Sequence, residues 1–146
     1  MPRLLIVHHT PSPNLQAVLE AVREGVAMVE EVELAVRPAL SAGAADLLEA
    51  DGVLLGTPAN IGYMSGALKH FFDTVYYPCL DATVGRPYGV YVHGNDDTAG
   101  ALRSIERITG ALRWKQVAAP LSLTGAPGSA DLEAVRELAA TVAVQL

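Results

Sequence analysis

The sequence predicts a doubly wound α/β domain: a five-stranded parallel sheet, order 2-1-3-4-5, with helices on both faces. Three observations carry this. Short apolar runs alternate with stretches of helical spacing. Several of those runs are nearly continuous in apolar character, as strands covered on both faces require. The length, 146 residues, suits one domain, expected to span 1–146.

The strand candidates, in order, are Leu4–Val7, Val32–Val36, Val53–Leu55, Tyr88–Val92 and Val117–Leu121. Leu15, Val18, Leu19, Val22, Val26 and Val29 share one face of a first helix. A shorter helix is expected around Ala44–Glu49. Leu68, Phe71, Phe72 and Val75 stripe a third, and Ala101, Ile105, Ile108 and Leu112 a fourth. Leu132, Val135, Ala139, Val142 and Leu146 stripe the last. Asn14, Ser65 and Ser129 precede helical patterns as caps, and Gly110 falls near a helix end. Strands alternating with helices imply right-handed crossovers, and that order puts ligands beyond the carboxyl ends of strands 1 and 3.

Composition excludes several classes. With 51% hydrophobic and 18% charged residues the chain is not intrinsically disordered. Ten basic against 16 acidic residues give a net charge of −6, without the basic stripe of a nucleic-acid binder. The single cysteine, Cys79, cannot form an internal disulfide, and the apolar start before His8 is too short for a signal peptide. The longest charge-free stretch, Gly52–Leu68, is broken by Pro58, Asn60 and glycines, which argues against a membrane span. A cytoplasmic location is expected.

Three loops lie where ligands should sit. The first, His8–Asn14, runs into a helix, whose N-terminus offers free amides and a positive dipole end suited to phosphate. Thr10, Ser12 and Asn14 add neutral donors, and His9 can add an imidazole. The second, Thr57–Ser65, has glycines that let a flat ligand approach, with Ile61 and Tyr63 able to pack on its face. The third runs from His93 to Gly100. The same residues also suit ordinary turns, and Asp96 and Asp97 equally suit a helix cap. Adjacent His8 and His9 point to opposite faces of a strand and no acid or second cysteine completes a ligand set, so no metal is expected. Cys79 has no partner or activating cation and reads as a packed thiol.

Gly56-Thr57-Pro58, Gly62-Tyr63-Met64-Ser65-Gly66 and Leu68-Lys69-His70-Phe71-Phe72-Asp73 resemble, in order and spacing, the second flavin loop of flavodoxin-like FMN proteins. The similarity is greatest to NAD(P)H-dependent FMN reductases and quinone reductases of the tryptophan-repressor-binding-protein type, and extends from Arg3 through Val117. It implies that Thr10, Ser12, Asn14 and Leu15 hold the FMN phosphate, to which His9 adds an optional cationic aid. Thr57, Pro58, Ala59, Asn60, Ile61, Gly62 and Tyr63 would contact the isoalloxazine and ribityl chain, with His93, Gly94, Asn95 and Asp96 closing the other edge. The family's phosphate loop usually carries glycine where this chain has Pro13, and a hydroxyl residue where it has Leu15. Proline removes one amide donor.

The function so implied is electron transfer from NADH or NADPH through FMN to a quinone, flavin or similar acceptor. No side chain need act as catalyst, because the flavin carries the chemistry. Partners would be a small-molecule or protein electron acceptor and, for self-association, a second copy of the chain. Alternatives are a flavodoxin-like carrier docking a redox protein, or an interaction module on this fold without FMN. A phosphorelay receiver is excluded, since acids do not close strands 1 and 3. No Gly-x-Gly-x-x-Gly or P-loop follows strand 1, which excludes dinucleotide and nucleotidase sites of those kinds.

Overall fold

A computed structural model describes residues 1–146. Strand β1 (Arg3–His8) lies between β2 (Glu33–Pro38) and β3 (Gly52–Asn60), and β3 continues to β5 (Pro87–His93), all parallel. The short β4 (Tyr63–Met64) folds back antiparallel on β3. Both β6 (Lys115–Gln116) and β7 (Leu121–Leu123) pair with β5 in parallel. The expected order therefore holds, with β5 as the fourth long strand and the fifth split in two.

The split corrects the expected continuous Val117–Leu121 strand. Pro120 has no N–H for the ladder, and the Gln116 amide donates to the Ala118 carbonyl across the gap. Trp114 precedes β6 and packs against Phe72 and Tyr88, with ring centroids 6.2 and 5.9 Å away. Its indole N–H donates to Thr83 Oγ1 at 2.9 Å, satisfying a buried donor.

Alternation along the strands builds two cores. Leu4, Ile6, Leu54 and Tyr91 face α1 (Pro13–Ala27) and α5 (Ser129–Ala143). Leu5, Val7, Val53, Leu55, Val90 and Val92 face α2 (Ala44–Glu49), α3 (Gly66–Cys79) and α4 (Thr98–Ala111). The predicted stripe of α1 is buried from Leu15 to Val26. Six-residue α2 gains support from Arg86, whose guanidinium donates to the carbonyls of Leu47 and Ala50 at its end. Cys79 is fully buried, and burial pushes its thiol pKa up, as a packed thiol requires. No helix is long and apolar enough to cross a membrane.

Two caps differ from expectation. Ser12, not Asn14, caps α1: its backbone is extended and its Oγ accepts from Leu15 N at 3.2 Å. Pro13 occupies the first helical position, where its fixed φ fits and Asn14 is already helical. Gly128, not Ser129, precedes α5, with Asp131 Oδ2 reaching back to Gly128 N at 2.9 Å. Ser65 caps α3 as expected, accepting from Leu68 N at 3.2 Å.

Candidate functional site

Parallel strands bring the loops after β1, β3, β5 and β7 to one edge of the sheet. The first starts where His9 N donates to Gly56 O at 2.9 Å, holding the turn against β3. His8 Nδ1 and Thr10 Oγ1 share a hydrogen bond of 2.7 Å. The amides of Thr10, Ser12 and Asn14 have no acceptor within the chain. His9 Nδ1 is buried without a partner. No acidic residue precedes Glu20, so this cradle of neutral donors at a helix N-terminus carries no negative charge of its own. A loop so built suits a phosphate group. Leu15 enters the core, so its side chain is withdrawn from the cradle and only its backbone faces it.

His8 is half-buried, and burial first, then the charges of Arg23 and His9, hold its pKa below the ordinary value. The unfolded chain therefore binds the extra proton more readily than the folded one. Stability from this group is complete above the ordinary value, roughly 6.5, and falls as pH drops toward the folded pKa. Urea midpoints at pH 7.5 and 5 are expected to differ more for the wild type than for His8→Gln. Equal losses in the two proteins would remove His8 from the acid sensitivity.

Much of the expected second loop, Thr57–Ser65, is strand, which corrects the sequence expectation. Strand β3 runs on through Thr57 and Pro58, then turns at Ile61 and Gly62 into β4, with Ala59 opposite Met64 and Asn60 opposite Tyr63. Both turn residues have positive φ, 51° and 71°, as a two-residue hairpin of matching twist requires. That conformation is costly for a β-branched residue, and Ile61 is also wholly exposed. Thr57 is fully buried: its Oγ1 donates to Pro58 O and accepts from Ser65 N at 3.0 Å. Ser104 Oγ accepts from Met64 N at 3.2 Å, tying the hairpin to α4. Thr57 and Pro58 thus form the buried base of the hairpin, while Asn60, Ile61 and Tyr63 are its exposed part.

The hairpin tip is pressed against the third loop. A Cβ on Gly62 would stand 2.6 Å from Asp97 Oδ2, and one on Gly100 would meet the Gly62 carbonyl. Asp97, itself at φ 44°, caps α4 by accepting from Gly100 N at 3.0 Å. Asp96 is exposed beside it. His93 is buried, its Nε2 bonded to Gly125 O at 2.7 Å, and Asn95 Oδ1 accepts from Gly125 N at 3.2 Å. Gly94 N donates to Leu123 O at 3.0 Å. His93 and Asn95 clamp the loop between β7 and α5, residues 124–128, and Gly94 holds the end of β7; this loop is a fourth wall that the sequence reading missed. Its signal was present: Gly125, Pro127 and Gly128 directly after an apolar strand.

A transverse row beneath the first two loops joins His8, Gly56 and Tyr91 in register. The Tyr91 ring fills the space over Gly56, and its hydroxyl is buried without a partner. Burial pushes the Tyr91 pKa well up, so it stays a neutral phenol.

The assembled features are a parallel core of order β2-β1-β3-β5 with the split strand β6/β7 beside β5, helices on both faces, and loops at the switch point between β1 and β3. A solved archaeal flavodoxin superposes on 98% of this chain and 97% of its own, with a TM-score of 0.84 and 17% sequence identity. The chain has the flavodoxin-like fold. An NADH:FMN oxidoreductase solved in its apo form shares this flavodoxin-like architecture over 100% of this chain and 90% of its own. There the TM-score is 0.81 and the identity 14%. In sequence, a curated flavodoxin from Aquifex aeolicus is 35% identical over 75 residues, 51% of this chain. That match spans 40% of the relative's length. No protein-family model matches the chain.

Proposed function

We propose that this flavodoxin-like chain binds FMN and passes electrons as a carrier, docking redox partners beside the flavin. The observation that carries the reading is the first loop. Three free amides, the hydroxyls of Thr10 and Ser12 and the unpartnered His9 Nδ1 lie in the loop that opens α1, and neither that loop nor the first helical turn carries an acid. A dianionic phosphate on an acidic protein must be held by such local donors. Pro13 supplies no amide, and its place at the first helical position keeps the cap at Ser12, leaving the amides on either side to do the holding.

In this reading Thr10, Ser12, Asn14 and His9 hold the phosphate, with Leu15 contributing through its backbone. Ala59, Asn60, Ile61, Gly62 and Tyr63 bound the ring on one side, with Thr57 and Pro58 fixing the hairpin from beneath. Asp96 and the backbone around Gly94 bound the other side, which His93 and Asn95 fix by holding the 124–128 loop. The strained, exposed Ile61 gives a flat ring an apolar surface, which compensates the cost of its backbone. Bound FMN would supply reversible electron transfer; the chain binds it, orients it and limits water at its edges. The curated flavodoxin match favours the carrier over the enzyme.

A second reading, an NAD(P)H-dependent reductase of quinones or flavins, draws on the Gly62–Gly66 and Lys69–Asp73 motifs, which are similar to those of reductases. Anaerobic mixing of the FMN-loaded protein with NADH or NADPH separates the two. A carrier keeps its yellow absorbance until a partner reductase is added. Bleaching within seconds by either nucleotide alone would replace the carrier with the reductase.

A further inference from the structure

Beside the β3–β4 hairpin, a groove of about 320 Å³ runs between α3 and α4. Its apolar walls are Phe72, Tyr76 and Ile108, and Tyr63 of the hairpin closes one end. Two cations, Lys69 and Arg107, and one acid, Asp73, border it. Lys69 Nζ lies 2.6 Å from Asp73 Oδ1, so that pair is internally neutral. Arg107 has no carboxylate within ion-pair distance, although the chain carries a net charge of −6. The hydroxyls of Tyr63 and Tyr76 make no hydrogen bond within the chain, whereas Ser104 Oγ, deeper in the groove, is engaged by Met64 N and Ala101 O.

A free guanidinium in a groove lined by aromatic side chains selects a particular ligand. The rings offer flat apolar contact, and the guanidinium offers paired donors that match a carboxylate. The groove's own charge is one positive unit, from Lys69 and Arg107 against Asp73, so a monoanion is matched and a cation is not. We propose that the groove is a second small-molecule site, taking a flat aromatic carboxylate whose ring lies among Phe72, Tyr63 and Tyr76 and whose carboxylate meets Arg107. The site is separate from the β1–α1 cradle, so it stands whether or not the chain binds FMN. Because Tyr63 belongs to both the groove and the hairpin, an occupant here touches the element that bounds the flavin loops.

The test uses 2-naphthoate as the probe, titrated into the ¹⁵N-labelled full chain and followed by amide chemical shifts. Saturable shifts are expected along residues 69–76 and 104–111. Arg107→Gln should weaken binding about fivefold, the upper end for an exposed ion pair. The neutral analogue 2-naphthylmethanol should bind weaker by a similar factor. Tyr76→Ala, which leaves the charges in place, should also weaken it. Shifts confined to residues 9–14, the absence of saturable shifts in either helix, or equal affinity for Arg107→Gln and wild type would each overturn the proposal. The amide spectrum of each variant reports its folding in the same experiment.

Discussion

Replacing Gly56 with alanine is expected to lower stability by about 2–3 kcal/mol, the upper range for overpacking a tight core. Gly56 sits mid-sheet, opposite His8 on one side and Tyr91 on the other. A Cβ there would fall on Cζ and Oη of the Tyr91 ring, which is itself 0% exposed. The ring is fully buried in the core that α1 and α5 cover, which leaves it no open space to swing into. Relief must come from the backbone, and β3 carries the hairpin at its far end. Thermal unfolding should report the loss as roughly 6–10 °C for a chain of this size. Tyr91→Val removes the ring, so Gly56→Ala should cost far less in that background. A cycle showing simple additivity would mean that the ring is not what excludes the methyl.

Ser12→Asp is expected to weaken FMN binding at least 100-fold while leaving the fold intact. Aspartate caps a helix about as well as serine, and a carboxylate at a helix N-terminus is favourable, so α1 should keep its start. The same carboxylate stands among the free amides of Thr10, Ser12 and Asn14, where the phosphate is to be held. Repulsion between unit charges about 5 Å apart at an effective dielectric of about 20 is roughly 3 kcal/mol, already more than a hundredfold. Riboflavin, which lacks the phosphate, should bind both proteins alike. Isothermal titration with each ligand, beside a melting curve, gives the comparison. Equal FMN affinity in wild type and Ser12→Asp would place the phosphate elsewhere.

The sheet was legible because its information is periodic. Continuous apolar runs such as Leu4–Val7 and Val53–Leu55 sit where both sheet faces are covered, and the α1 stripe from Leu15 to Val26 is buried as its spacing requires. What could not be read depends on contacts between segments distant in sequence. Ile61 is a poor residue for a positive φ, so nothing local announced the hairpin; it is held by Thr57, Ser65 and Ser104 from beneath. Asp97 likewise takes a left-handed conformation, and its carboxylate lies so close to Gly62 and Gly100 that neither has room for a Cβ. Pro13 did announce Ser12 as the cap, by the preference of proline for the first helical position, but Asn14 drew the assignment. Nor could local sequence show that His93 and Asn95, which the resemblance puts at the flavin's other edge, bond the Gly125 backbone some thirty residues on.

The central claim is that the β1–α1 loop holds the phosphate of FMN. Its most direct test is a titration of the flavin-free protein, following flavin fluorescence, with FMN and riboflavin in parallel at low and high salt. Saturable quenching by one equivalent of protein is expected, with FMN binding at least tenfold tighter than riboflavin and a preference that shrinks as salt screens the phosphate. No quenching at concentrations well above micromolar, or equal affinity for the two flavins, would contradict it.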